Sequence, residues 1–223
     1  RNNHVWLSIG LDFKNKYRAL KIFFHGFIFS FFLLLVFFLV IFICGWVDMF
    51  NNIDFYSLLN AILLIVGVVF AEEVIFRGWL MNEMVLLFGL KRGAFYQSVI
   101  FSIAHYRNDI GFKSLFTLLF GLFLLGLVLT LRRALDNGSL LGCIGLHGGL
   151  VGIWYLFDTG LVIFSPDVPY YFLGPSKDMV NPVGSIIGIT ILLAIVYFQR
   201  RFFARIGRFL GSTVNASFKE EIP

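Results

Sequence analysis

The sequence predicts an all-α fold, a polytopic transmembrane bundle of about six to eight helices. Three observations predict it. Of the 223 residues, 59% are hydrophobic and only 14% charged, where a soluble domain of this size carries about 25% charged residues. The mean hydropathy of the chain is +0.87, and its apolar residues gather into runs that reach the roughly 20 residues a helix needs to cross a bilayer. The basic residues fall between those runs and in alternate turns, the pattern that orients membrane spans.

Each element follows from local pattern. Residues 1–21 are a basic N-terminal segment, cytoplasmic or interfacial, with Lys14, Lys16, Arg18 and Lys21 among apolar residues such as Trp6 and Phe13. The bundle proper covers 22–199. Its first span, 22–47, is Phe-rich and interrupted only by His25, Gly26 and Ser30. Asp48, Asn51, Asn52 and Asp54 make an acidic turn. The second span opens at 55, and its helical pattern runs to about Leu90, with 74–90 also readable as a separate interfacial or re-entrant helix. Lys91 and Arg92 mark the next turn, and 93–105 is a third, shorter apolar run. The fourth span is 114–131, followed by a turn containing Arg132, Arg133, Asp136, Asn137 and Gly138. The fifth is 139–157. Four of the five prolines, Pro166, Pro169, Pro175 and Pro182, fall in 158–182, which reads as a structured loop. The sixth span is 183–198, and a basic tail with Arg200, Arg201, Arg205 and Arg208 completes 200–223.

With six crossings, all the basic clusters share one side and most of the aspartates share the other. Both termini are therefore expected in the cytoplasm. The basic residues are absorbed by span flanks, with the tail arginines touching anionic membrane lipid, so no nucleic-acid partner is expected. Cys44 and Cys143 cannot build a disulfide framework. The chain begins at Arg1 without an initiator Met, consistent with trimming, and no cleavable signal peptide is expected.

Chemistry concentrates at Phe70-Ala71-Glu72-Glu73-Val74-Ile75-Phe76-Arg77. A charge at membrane depth costs about 2.5 to 3.5 kcal/mol on insertion scales, so three together need a reason. Glu73 and Arg77 have the acid-first i,i+4 spacing of a same-face ion pair. Glu72 points about 100° away around the helix and is left free for chemistry. Two further polar groups sit in apolar runs. His105 follows Phe101 by one turn, and His147 lies in a glycine-rich stretch where Gly145 and Gly149, then Gly148 and Gly152, are four apart. That spacing lets neighbouring helix backbones approach closely. Counted along helices at about 1.5 Å per residue, Glu72, His105 and His147 can meet in the inner half of the bilayer. A carboxylate beside a second carboxylate can serve as a base for water, and histidines can donate to a developing oxyanion. Two histidines and a carboxylate are also a zinc set, but the HExxH spacing is absent, so metal chemistry ranks second.

The Glu72-Glu73-x-x-x-Arg77 motif, the Phe101-x-x-x-His105 motif and the later His147 together resemble the CAAX protease and bacteriocin-processing family, also called the CPBP or abortive-infection family. The family core would occupy about 55–157. The resemblance implies a metal-independent intramembrane endopeptidase without cofactors, similar to the type II CAAX prenyl proteases and acting on a peptide or membrane-protein substrate. It implies Glu72 as the general base, with His105 assisting. His147 would bind substrate or stabilise the oxyanion, and Glu73, Arg77 and Phe101 would support the site. The family's last motif is usually HxxxN, whereas Val151 stands four residues after His147 here. That departure keeps a second expectation open, a non-catalytic scaffold, immunity or assembly factor that binds a membrane-protein partner. A transporter is a third, because charges at depth can also form an ion path.

Overall fold

The order of the helices follows from a few capping and breaking residues. The structure, a computed structural model, describes residues 3–49, 52–176 and 180–199. The expected tail at 200–223, with Asn51 and Asp178, lies outside the described residues. After a short α1 (Asn3–Ser8), the Asn15 side chain accepts the Arg18 N–H at 3.0 Å and starts α2, Lys16–Ile43. The span therefore begins earlier than its apolar run. Asp54 likewise accepts the Ser57 N–H at 2.6 Å and starts the next helix. The helical run Phe55–Ile103 is long, but it bends back on itself at Gly89, where φ is 75° and ψ 167°. Glycine adopts that conformation without a Cβ penalty. We call residues 55–88 α3 and residues 90–103 α4. The two pack as a hairpin so tight that a Cβ on Gly93 would lie 2.8 Å from the Met84 and Val85 backbone. The separate 74–90 helix is not formed.

Then come α5 (Phe112–Leu135) and α6 (Leu141–Leu161). The proline-rich segment follows, with a single helical turn, α7 (Tyr170–Leu173), and finally α8 (Ile186–Gln199). A two-stranded antiparallel ribbon pairs β1 (Val47–Met49) with β2 (Ile163–Phe164) at the end of the bundle where α2 and α6 finish. By length and composition, four helical runs can cross a membrane: Lys16–Ile43, Phe55–Ile103, Phe112–Leu135 and Leu141–Leu161. α4 and α8 are only about 21 Å long each at a rise of about 1.5 Å per residue. This is an all-α membrane bundle, as its composition requires.

α6 is the central element. It packs along α2 and also touches α3 and α5. Gly145 and Gly149 face α2, where added Cβ atoms would meet the Phe23 carbonyl and Ser30 Oγ. Gly148 and Gly152 face α3, where they would meet Ile65. One glycine-rich stretch thus admits two helices at once. The core on its other side is built from Leu118, Leu122, Leu125, Leu129, Leu146 and Leu192. Phe31, Phe32, Leu39 and Phe42 of α2 point outwards, as lipid-facing positions do.

Two features fix one end of the bundle. The Leu140 N–H donates to the Gly10 carbonyl at 2.9 Å, and Arg132 Nη2 lies 3.1 Å from His25 Nδ1. The basic N-terminal segment and the α5–α6 turn therefore share that end. Arg132 and Arg133 correct the sequence reading. They belong to the last turn of α5 rather than to the turn after it, and both are buried. Arg132 is held by both oxygens of Asp136, at 2.7 and 2.8 Å.

Candidate active site

The two glutamates stand on a single α-helical turn, Phe70–Glu73, flanked by two π-helical stretches, Leu64–Val69 and Val74–Leu80. Wide turns of this kind recur at functional sites because they displace side chains and free backbone groups. Gly78 marks the depth. Its Cβ position lies 3.3 Å from both Ile9 and Leu140, at the end of the bundle that carries the α5–α6 turn. Glu73 is then about 7 Å, and His147 about 10 Å, inward from that end by helical rise.

Glu73 and Arg77 form the expected pair, Oε1 to Nη1 at 2.8 Å, and both side chains are 0% exposed. Arg77 also stacks on Phe101, with the guanidinium carbon 3.9 Å from the ring centroid. Cation–π contact of this kind is worth about 2 kcal/mol or more when desolvated. The same Glu73 oxygen lies 2.8 Å from Nδ1 of His147. A carboxylate accepts, so His147 carries its proton on Nδ1 there and turns Nε2 towards Glu72. His105 is oriented in the same manner. Its Nδ1 lies 2.8 Å from the Phe101 carbonyl, which can only accept, and its Nε2 faces Glu72.

Glu72 is thus bracketed. Its Oε1 is 3.7 Å from His105 Nε2 and its Oε2 is 3.8 Å from His147 Nε2. These distances exceed a direct hydrogen bond. The Glu72 and His105 side chains remain 25% and 31% exposed, while His147 is 6% exposed, so the cluster opens on the Glu72–His105 side. The Phe101 ring lies 4.7 Å from His105 and 5.9 Å from His147, filling the space beneath them. All six residues singled out in the sequence, Glu72, Glu73, Arg77, Phe101, His105 and His147, therefore converge. Among the described residues, no three His, Cys, Asp or Glu side chains are grouped so as to hold a metal ion. Val151, half-buried one turn beyond His147, brings no side-chain donor.

Sequence reasoning missed the support behind this cluster. Arg133 Nη1 donates to the Arg77 carbonyl and to Asn82 Oδ1, the latter at 3.0 Å. Asn82 in turn donates to the Ser8 carbonyl at 3.1 Å. Arg133 thus binds the widened Val74–Leu80 stretch to α5. Its only sequence signal is an arginine pair at the end of a span, which is indistinguishable from a membrane anchor. Outside the spans, burial pushes the Asp136 carboxyl up, and the Arg132 guanidinium pulls against it. In the loop after His105, Arg107 holds the Asp109 carboxyl below its usual range through a 2.5 Å contact.

Residues 54–153 match the family model described as type II CAAX prenyl endopeptidase Rce1-like. The match spans rather less than half of the chain, contains every residue of the cluster and is consistent with the CPBP family. At family level it supports a CAAX-protease-like endopeptidase in the membrane. No curated protein and no solved structure matches the chain.

Proposed function

We propose that this chain, with its Rce1-like segment at 54–153, is an intramembrane endopeptidase in which Glu72 activates water. One observation carries the reading: both carboxylate oxygens of Glu72 face the Nε2 atom of a histidine whose Nδ1 is already engaged. In this reading a water beside Glu72 and His105 loses a proton to Glu72, and its oxygen adds to the scissile carbonyl. The proton then passes to the leaving amine as the carbon–nitrogen bond breaks. His147, in its imidazolium form, would donate from Nε2 to the oxyanion while Glu73 balances its charge across Nδ1. Such a donor is typically worth 10²- to 10³-fold in rate. Glu73, Arg77 and Phe101 hold the histidines rather than react. The substrate is a peptide or membrane protein presented at membrane depth. In this reading both termini face the cytoplasm, which the shared end of the basic flanks of α2 and α5 supports.

The test compares wild type with Glu72→Gln in purified, lipid-reconstituted form, by mass spectrometry of peptides released from a membrane-protein mixture. Gln keeps the shape but cannot take a proton from water. The expected outcome is loss of wild-type-specific cleavage with an unchanged melting temperature. Equal cleavage by Glu72→Gln would refute the mechanism. A chelator arm separates the zinc alternative, because metal loss would silence a metalloenzyme and leave a glutamate-based one active.

Val151 favours a second reading, a scaffold or immunity factor of the same fold that binds a membrane-protein partner. It predicts no cleavage by wild type and unchanged partner capture by Glu72→Gln.

A further inference from the structure

Away from the cluster, a cavity of about 580 Å³ opens between the first turns of α2 and the α5–α6 turn. Its size falls within the usual range for small-ligand sites. The α2 wall carries Arg18, Lys21, Ile22, Phe24, His25 and Ile28. The opposite wall is Leu135, Asp136 and Asn137. The polarity is graded along the helix axis. Arg18 and Lys21 come first, and the apolar Phe24 and Ile28 follow deeper in the span. From Arg18 to Ile28 is about 15 Å by helical rise.

The charge is unbalanced in a particular way. Among the described residues Arg18 and Lys21 form no ion pair. Among the described residues the one carboxylate on the walls is Asp136, which is occupied at both oxygens by Arg132, so it offers little to the two cations. His25 faces the same guanidinium through Nδ1. A ligand that completes this site needs negative charge at the level of Arg18 and Lys21 and hydrocarbon at the level of Phe24 and Ile28. A soluble anion satisfies only the first requirement and a zwitterionic lipid only the second. Basic pockets between membrane helices take acidic headgroups for this reason.

We infer that the groove between α2 and the α5–α6 turn binds an anionic glycerophospholipid, headgroup on Arg18 and Lys21 and acyl chain along Phe24 and Ile28. Bound there, the lipid clasps α2 to the α5–α6 turn. It sits beside a close helix contact, where Gly26 of α2 meets the Gly142 carbonyl of α6. Lipid should therefore stabilise the whole fold, independently of any peptidase activity.

The full chain is purified in a zwitterionic detergent and examined by intact-complex mass spectrometry and thermal unfolding. Phosphatidylglycerol, phosphatidylcholine and inorganic phosphate are added separately. Wild type should retain phosphatidylglycerol and melt at a higher temperature with it, and neither of the other two should reproduce this. The double variant Arg18→Gln/Lys21→Gln should bind phosphatidylglycerol about 30-fold more weakly. Lys91→Gln/Arg92→Gln, which removes the same charge at the α3–α4 turn, should bind like wild type. Charge-keeping Arg18→Lys/Lys21→Arg should also bind like wild type. If Arg18→Gln/Lys21→Gln fails to fold, Lys21→Gln alone should weaken binding about 5-fold. Equal weakening by the Lys91/Arg92 control would overturn the site. Equal retention of phosphatidylcholine would overturn the headgroup assignment, and equal stabilisation by phosphate would overturn the lipid.

Discussion

Arg77→Ala isolates the interaction on which the cluster depends. The guanidinium is wholly buried, pairs with Glu73 at 2.8 Å and covers the Phe101 ring at 3.9 Å. Removing it leaves the Glu73 carboxylate buried without its cation, which costs about 3 to 5 kcal/mol. The lost ring contact and the cavity act in the same direction. His147 works against them, since its Nδ1 proton still reaches Glu73 Oε1 at 2.8 Å. The net expectation is the lower half of that range, about 3 to 4 kcal/mol. A chain of this length loses about 2 to 4 °C of melting temperature per kcal/mol, so a fall of roughly 6 to 16 °C is expected. Thermal unfolding in detergent, followed by tryptophan fluorescence, reads it. The decisive comparison is Glu73→Gln/Arg77→Met, which removes both charges and keeps much of the volume. Breaking one partner is costly because a charge is stranded, so the double variant should melt well above Arg77→Ala. If Arg77→Ala melts within about 1 °C of wild type, or the double variant melts no higher than the single, the buried-charge argument fails.

Other predictions follow from single features of the fold. Gly26→Val would drive a Cβ into the Gly142 carbonyl, and overpacking of this kind costs about 1 to 3 kcal/mol; unchanged unfolding would show that α2 and α6 are not closely apposed there. Asp54 caps α3 through the Ser57 N–H, which holds its carboxyl below the ordinary 3.8. A depressed acid stabilises above its unfolded value and loses that contribution as pH falls through its folded one. The stability advantage of wild type over Asp54→Ala should therefore shrink below about pH 3.8, and a pH-independent difference would refute the cap. In a Cys44→Ala background, a membrane-impermeant maleimide added outside intact cells should label Asn52→Cys and spare Leu135→Cys; equal labelling would refute the proposed orientation.

What was legible in the sequence was whatever depends on neighbours along the chain. Apolar run length revealed the bundle, because an unpaired backbone cannot lie in hydrocarbon and must form helix. The i,i+4 spacing revealed the Glu73–Arg77 pair, because one helical turn brings those side chains together whatever surrounds them. The Gly145/Gly149 and Gly148/Gly152 spacings revealed that α6 would be approached closely, though not that α2 takes one face and α3 the other. Helix starts were less legible, since Asn15 and Asp54 begin their helices through caps rather than through hydropathy.

Tertiary structure decided the rest. Glu72 meets two histidines only because the chain reverses at Gly89, which lays α4 along α3 and carries Phe101 and His105 back to the glutamates. Lys91 and Arg92 signal a turn within three residues of Gly89, but nothing local indicates which faces of α3 and α4 then meet. The shared acceptor also belongs to the fold: Glu73 Oε1 serves Arg77 from its own helix and His147 from α6, seventy-four residues away. Arg133 makes the same point from the other side. By sequence it is a membrane anchor, and it becomes a buried brace because the end of α5 packs against the widened turn at Arg77 and Asn82. Periodicity and spacing fix which side chains share a helix face, because they are set by the backbone's own repeat. Which faces then meet is set by close packing between distant segments, which has no local signature.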